Sequence, residues 1–121
     1  MTVRKPAILA AAAALAASAI APAFAAGVKD GPMTFLRKGD QEIVVFVYEG
    51  KLYCRRTSDD YEMCNGMTEQ PDGTWKGKRM KHPDMPGFMR FNGTVTFTEA
   101  GLNIRGCALG ICDAEDWVLK K

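Results

Sequence analysis

Apolar and polar residues alternate along most of the chain after residue 32. Alternation at every second residue is typical of β-strands that bury one face. Residues 43–48 give the strongest example, because all six are β-branched or aromatic. No segment repeats with a helical period over a helical length, so we expect at most a short helix, within residues 58–68. The pattern predicts strands at 33–37, 43–48, 51–57, 74–80, 89–98 and 114–119. A further strand begins at residue 102 and runs into the turn between Cys107 and Cys112.

Short turn sequences join these strands in order. Glu49-Gly50 and Asp72-Gly73 are typical of tight turns, and residues 58–72 form one long polar connection. Asn92-Gly93 is also a hairpin sequence, but a hairpin there would leave a very short strand before it, so we interpret it as a bulge. Six or seven strands joined in sequence predict an all-β fold, a small up-and-down antiparallel meander that closes into a barrel.

The alternating positions are expected to fill the barrel interior. In the strand at 43–48 the pattern does not decide which alternating residues face inward. They are either Ile43, Val45 and Val47 or Val44, Phe46 and Tyr48. The other expected interior residues are Val95, Phe97, Leu102, Ile104, Trp117 and Leu119.

The N-terminal residues have the composition of a secretory signal peptide. Arg4 and Lys5 precede an alanine-rich apolar run, and Ala23-Phe24-Ala25 supplies the small residues of a cleavage site. The apolar run is shorter than the roughly 20 residues of a membrane-spanning helix. We therefore expect a signal peptide at 1–25, a single disulfide-bonded domain at 26–121, and export to the periplasm.

Export changes the charge balance of the domain. The chain has 16 Lys+Arg and 14 Asp+Glu; without Arg4 and Lys5 the basic count is 16 − 2 = 14, equal to the acidic count. A neutral domain has none of the excess basic charge of a nucleic-acid-binding protein.

The four cysteines predict two disulfides, since an even number in a small exported domain is typical of a disulfide framework. Three pairings are possible. We favour Cys107–Cys112, which closes a tight turn at Gly110, with Cys54–Cys64, which closes the ten-residue excursion after a strand. A zinc site is disfavoured because the chain has no C-x-x-C pair and no histidine cluster. We expect no cofactor.

Several motifs resemble, in order and type, the "domain of unknown function 2147" family of small secreted bacterial proteins. The resemblance covers most of residues 42–119, and the Arg-Gly-Cys block before Trp117 is its most specific part. The motifs are Gly50-Lys51-Leu52-Tyr53, the cysteine-bearing loop, Trp75-x-Gly77, the Pro83-to-Gly87 turn, and Leu102-x-Ile104-Arg105-Gly106-Cys107-x-Leu109-Gly110-x-Cys112 with Trp117.

The resemblance implies a lipocalin-like, or calycin-like, antiparallel barrel in the periplasm with no established activity. The chain departs from the family pattern at two points. Gly31-Pro32-Met33 lacks the usual first-strand tryptophan, and Trp117-Val118-Leu119 lacks the arginine that would stack on the barrel-closing indole.

The sequence disfavours an enzyme. His82 is the one histidine of the chain, and no serine or cysteine signature accompanies it. A nucleophile needs a base within reach to become reactive. We therefore expect a non-enzymatic protein.

A barrel can instead hold a small apolar ligand, and its aromatic residues are the candidates for the wall. The alternative is a filled core, which would make the protein a structural or protein-interaction module of the cell envelope. The candidate wall residues are Phe46, Tyr48, Tyr53, Trp75, Phe97 and Trp117.

Two smaller features suggest other partners. Met80, His82 and Met85 offer thioether and imidazole ligands of the kind that Cu(I) prefers, although they could equally serve as core and turn residues. A group of basic residues could meet an acidic partner or the anionic envelope surface, or form an ordinary solvated face. These are Lys76, Lys78, Arg79, Lys81 and Arg90.

Overall fold

The computed structural model describes residues 27–121, so the predicted signal peptide lies outside the described residues. A helical turn at 27–30 precedes nine strands. The strands are β1 (Met33–Arg37), β2 (Gln41–Tyr48), β3 (Lys51–Arg56), β4 (Tyr61–Glu62), β5 (Met67–Glu69), β6 (Trp75–Met80), β7 (Phe91–Phe97), β8 (Gly101–Ala108) and β9 (Ile111–Leu119).

The strands form a closed antiparallel barrel, which confirms the predicted fold. Apart from β4 and β5, each strand pairs with its neighbours in sequence, and β1 pairs with β9, where Phe35 lies opposite Leu119. β4 and β5 both pair with β3, so they are two halves of one wall strand and the barrel has eight strands in all. Closure removes the exposed sheet edges that an open meander would leave. The barrel therefore closes without an arginine after Trp117. A small barrel of this kind is consistent with a lipocalin-like fold.

The prediction for residues 58–72 was wrong. This segment contains β4 and β5 in place of a simple polar connection, and the one helical turn lies at 27–30 instead of within 58–68. β4 and β5 are two and three residues long. Strands this short owe their conformation to the hydrogen-bonded pairing with β3, and too few residues alternate to reveal them in the sequence.

The bulge near Asn92-Gly93 lies on the opposite strand. No hairpin forms there, as expected, because Asn92 and Gly93 sit inside β7 and pair with Cys107 and Gly106. The extra residue is in β6, between Gly77 and Met80. A Cβ at Gly93 would overlap Sδ of Met80, so this glycine makes room for a side chain of the bulged strand.

The interior set of β2 is the one that contains Ile43 and Val45, both fully buried. Val44 and Phe46 occupy the alternate positions and face outward. The predicted interior residues Val95, Leu102, Ile104 and Trp117 are buried, and Phe97 and Leu119 pack against them.

The barrel has two unlike ends, which we call the base and the mouth. The base carries the 49–50 and 98–100 turns and the helical turn, whose Val28 is 1% exposed. The mouth carries the 38–40 and 109–110 turns and the 57–60 and 81–90 loops. Within residues 27–121, no helix is long and apolar enough to span a membrane.

Both predicted disulfides are confirmed. Cys54–Cys64 joins β3 to the segment that separates β4 from β5, inside the barrel wall. Cys107–Cys112 joins directly opposite residues of β8 and β9, next to the Leu109-Gly110 turn of the mouth. Two disulfides are compatible with an extracellular or periplasmic location.

Candidate ligand pocket at the barrel mouth

An apolar pocket of about 150 Å³ opens at the mouth. Four methionines, Met63, Met80, Met85 and Met89, contribute to its wall, together with Trp117 from β9. The remaining apolar wall residues are Pro83, Phe91, Ile104, Ala108, Leu109 and Ile111. Unbranched thioethers adapt to irregular shapes and make favourable contacts with aromatic rings, so this wall suits a small apolar or aromatic molecule.

The sequence of β8 explains why space remains at this end. Ile104, Gly106 and Ala108 occupy successive inward positions and become smaller toward the mouth. Toward the base the inward residues are large: Phe35 and Trp75, for example, are 0% and 1% exposed. The interior is therefore packed at the base and open at the mouth.

A buried ion pair lies beside the pocket. The side chain of Arg37 is 1% exposed, and its guanidinium binds Glu115 through two bonds, Nε to Oε1 at 2.8 Å and Nη2 to Oε2 at 2.9 Å. Arg37 Nη1 donates to Gln41 Oε1 at 2.9 Å, and the Trp117 indole donates to Glu115 Oε1 at 3.0 Å. The paired groups satisfy one another inside the barrel, as a buried charge requires.

The same arginine holds the 81–90 loop. Asp84 Oδ2 accepts hydrogen bonds from Arg37 Nη2 at 3.1 Å and from Lys38 Nζ at 2.8 Å. The bond from Lys38, followed by that from Arg37, lowers the pKa of Asp84 to about 2. The loop that covers one side of the pocket is thus fastened to β1 by a carboxylate that stays ionised at any ordinary pH.

Glu115 is also held in its ionised form. Burial by itself would raise the pKa of Glu115, but hydrogen bonds from Arg37 and Trp117 and the positive charge of Arg37 outweigh it, so its pKa is lowered. The bond to Glu115 raises the already high pKa of Arg37. Both groups remain charged, and their charges cancel.

His82 connects the loop to β9. Its Nε2 lies 3.6 Å from Glu115 Oε2 and 3.7 Å from Asp113 Oδ2, and its Nδ1 accepts a hydrogen bond from the backbone N–H of Asp84 at 3.1 Å. An Nδ1 that accepts a bond leaves the proton of the neutral ring on Nε2, facing the two carboxylates.

This geometry bears on metal binding. Ligand atoms of His82, Asp113 and Glu115 lie within 4.8 Å of one another, which is close enough to share an ion. A metal at Nε2 would need the ring proton on Nδ1, and the bond from Asp84 would then be lost. Glu115 is already engaged by Arg37 through both oxygens. The three groups are therefore arranged for hydrogen bonding rather than for a metal.

The structure separates the six aromatics that the sequence suggested for a pocket wall. Trp117 lines the pocket, whereas Trp75 and Phe97 lie in the packed interior toward the base. Phe46, Tyr48 and Tyr53 lie on the outer face: Phe46 stacks on Tyr53 with ring centroids 5.5 Å apart, and Tyr48 is 60% exposed.

The three residues suggested for Cu(I) come together. Met80, His82 and Met85 all line the pocket, because β6 ends at Met80 and the other two lie in the loop that follows. Met63, Arg37 and Glu115 are functional candidates that the sequence analysis missed. Arg37 shares the inward face of Phe35 and Glu115 that of Trp117, so a period of two would have placed both charges inside.

A comparison of the chain with protein-family models, curated proteins and solved structures found no match.

Proposed function

We propose that the protein is a non-enzymatic carrier that binds one small apolar molecule in its mouth pocket, as a lipocalin-like barrel wall permits. The observation behind the proposal is a methionine-lined space of about 150 Å³ in a barrel that is otherwise packed. The described wall contains no serine, threonine or free thiol that could act as a nucleophile. Concave apolar sites with a few polar groups are typical of ligand binding.

The volume limits the size of the ligand. An engineered apolar cavity of about 150 Å³ in another protein stays dry and takes up benzene. A single six-membered ring therefore fits this pocket, and a retinoid or fatty acid does not fit inside it. Contacts between the methionine sulfur atoms and a ring favour an aromatic ligand over an aliphatic one of equal size.

The polar side of the pocket sets a preference for charge. Asp113, Glu115 and Lys81 contribute to the pocket wall. Arg37 neutralises Glu115, and the ammonium group of Lys81 lies over the Tyr61 ring, 5.2 Å from its centroid, where it does not offset Asp113. A ligand with a hydroxyl or amino donor can bind a carboxylate, whereas a ligand carboxylate would be repelled. We expect phenol or benzylamine to bind better than benzoate.

The binding test is calorimetric titration of residues 26–121 with benzene, phenol, benzylamine and benzoate. Ala108→Leu fills the mouth and should abolish binding, because Ala108 lines the pocket. Ala114→Leu is the matched control, since Ala114 is exposed on the outside of β9. Lack of binding by the parent protein, or equal binding by both variants, would contradict the proposal.

Cu(I) is the second candidate, since the thioethers of Met80 and Met85 lie around one pocket with those of Met63 and Met89. His82, which the sequence also suggested, would have to give up its bond from the Asp84 N–H to bind the ion through Nε2. Thioethers are soft ligands that suit Cu(I). Competition with a Cu(I) chelator should show uptake by the parent protein, and the Met80→Leu/Met85→Leu variant should lose it. If the parent leaves all the copper with the chelator, the pocket is not a copper site.

We propose the periplasm as the location. The two disulfides and the signal-peptide composition of residues 1–25 support it. Expression of the full chain should give periplasmic protein that begins near residue 26 and has no free thiols, as mass spectrometry after thiol alkylation would show. Full-length protein in the cytoplasm would contradict this location.

A further inference from the structure

The charge of the barrel wall is strongly uneven. Residues 73–108, which include β6, β7 and β8, carry six basic residues and two acidic ones. Asp84, one of the two acids, is already bound to Arg37 and Lys38. In the part of the chain that the structure describes, none of the six cations is in an ion pair. We call them the basic wall: Lys76, Lys78, Arg79, Lys81, Arg90 and Arg105.

The mouth next to this wall exposes large apolar side chains. Phe88 is 83% exposed, Leu109 93% and Ile111 74%, and Met85 is 45% exposed beside them. We call these four residues the apolar tips. Arg90 Nη1 donates to the Gly87 carbonyl at 2.7 Å, which holds the loop in place beside Phe88. Apolar side chains exposed together commonly mark an interaction surface.

The basic wall and the apolar tips lie next to each other. Arg90 and Lys81 belong to the same loop as Phe88, and Arg105 lies four residues before Leu109 in the β8–β9 hairpin. Apolar side chains beside cations match a bilayer surface, where acyl chains lie under anionic headgroups. An acidic protein would account for the cations, but it would need its own apolar surface to cover the tips.

We propose that the mouth docks on an anionic phospholipid surface, with the apolar tips in the headgroup region and the basic wall against the lipid phosphates. Asp113 of β9 lies beside this surface, 73% exposed and 3.7 Å from His82, so the barrel should lean toward β6–β8 and away from this carboxylate. The pocket then opens toward the bilayer, from which apolar molecules partition. This docking does not require an occupied pocket.

The test is co-sedimentation of residues 26–121 with vesicles of phosphatidylcholine alone and of phosphatidylcholine with phosphatidylglycerol. We expect binding to the anionic vesicles that weakens at high salt. Phe88→Ser/Leu109→Ser should reduce binding at least about tenfold. The matched control is Tyr48→Ser/Val118→Ser, which changes two exposed apolar residues away from the mouth.

The charge contribution has its own pair of variants. Lys78→Gln/Arg105→Gln should weaken binding to anionic vesicles about tenfold. Lys51→Gln/Lys121→Gln removes the same charge outside the basic wall and should leave binding unchanged. Absence of binding to anionic vesicles would overturn the proposal, as would equal losses in test and control variants. Binding to polyglutamate without binding to vesicles would also overturn it and would indicate an acidic protein partner.

Discussion

The base and the mouth of this barrel are built from the same strands but differ in how closely their inward side chains pack. At the base the inward residues are large and buried, and Val28 of the helical turn joins them. At the mouth some inward residues are small, as Gly106 and Ala108 are, or charged, as Arg37 and Glu115 are. The loop there is long, and apolar side chains face solvent. Close packing supplies the free energy of folding, whereas a binding site needs space. The difference shows that the base stabilises the fold and leaves the mouth free to vary.

The largest expected effect comes from opening a cavity at the base. Phe35→Ala should lower the free energy of unfolding by about 3–5 kcal/mol, because Phe35 is fully buried and its neighbours cannot fill the space. Ile111→Ala at the mouth is the control and should cost no more than about 0.5 kcal/mol. Urea unfolding measures both. Similar losses in the two variants would mean that the base and the mouth contribute equally to the free energy of unfolding.

The two disulfides sharpen the comparison. Cys54→Ala/Cys64→Ala should cost about 3 kcal/mol, because it opens a loop of ten residues inside the wall. Cys107→Ala/Cys112→Ala opens a loop of five at the mouth and should cost about 2 kcal/mol. Thermal unfolding of the two variants gives the order. If the mouth variant is the less stable of the two, the mouth carries more of the stability than its packing indicates.

The Arg37–Glu115 pair lies where the two regions meet. Arg37→Met should lower the free energy of unfolding by about 2–3 kcal/mol, since it leaves Glu115 half-buried without its cation. Arg37→Met/Glu115→Leu should recover most of that loss, because the unpaired charge is gone. A double-mutant cycle by urea unfolding measures the coupling. If the loss of stability in the double variant equals the sum of the losses in the two single variants, Arg37 and Glu115 do not stabilise each other.

The smallest expected effect is the acid response of the mouth. Asp84 and Glu115 have lower pKa values in the folded protein than in the unfolded chain. Their stabilisation is therefore complete above about pH 5 and is lost as the pH falls toward about 2. The melting temperature should fall over this range, and by less in the Arg37→Met variant. An equal fall in both proteins would assign the acid response to other carboxylates.

Most of the wall was predictable because strand alternation and turn residues are local properties. The long strands followed from their period of two, and the disulfides from short spacings around Gly110 and within 54–64. β4 and β5 were missed because two or three residues cannot show a period. Their pairing with β3 fixes them, and that contact is non-local.

The pocket was harder to predict than the wall. Residue type alone suggests six aromatics for the wall, but Phe46 and Tyr48 alternate with the buried Ile43 and Val45 and so face outward. Arg37 and Glu115 are on inward faces, but charged residues are normally assigned to the surface. The space itself comes from Gly106 and Ala108 meeting the 81–90 loop. That contact depends on the three-dimensional path of an irregular loop, which a local sequence pattern does not reveal.

The methionine wall makes the pocket sensitive to oxidants. Met85 is 45% exposed, whereas Met63 and Met80 are 2% and 5% exposed, so an oxidant reaches Met85 first. A sulfoxide places a strongly polar S=O group in the apolar wall, and reductases that act on sulfoxides can reverse the change. In the proposed binding role, ligand affinity would then depend on the balance of oxidation and repair, with the outermost thioether shielding the inner ones.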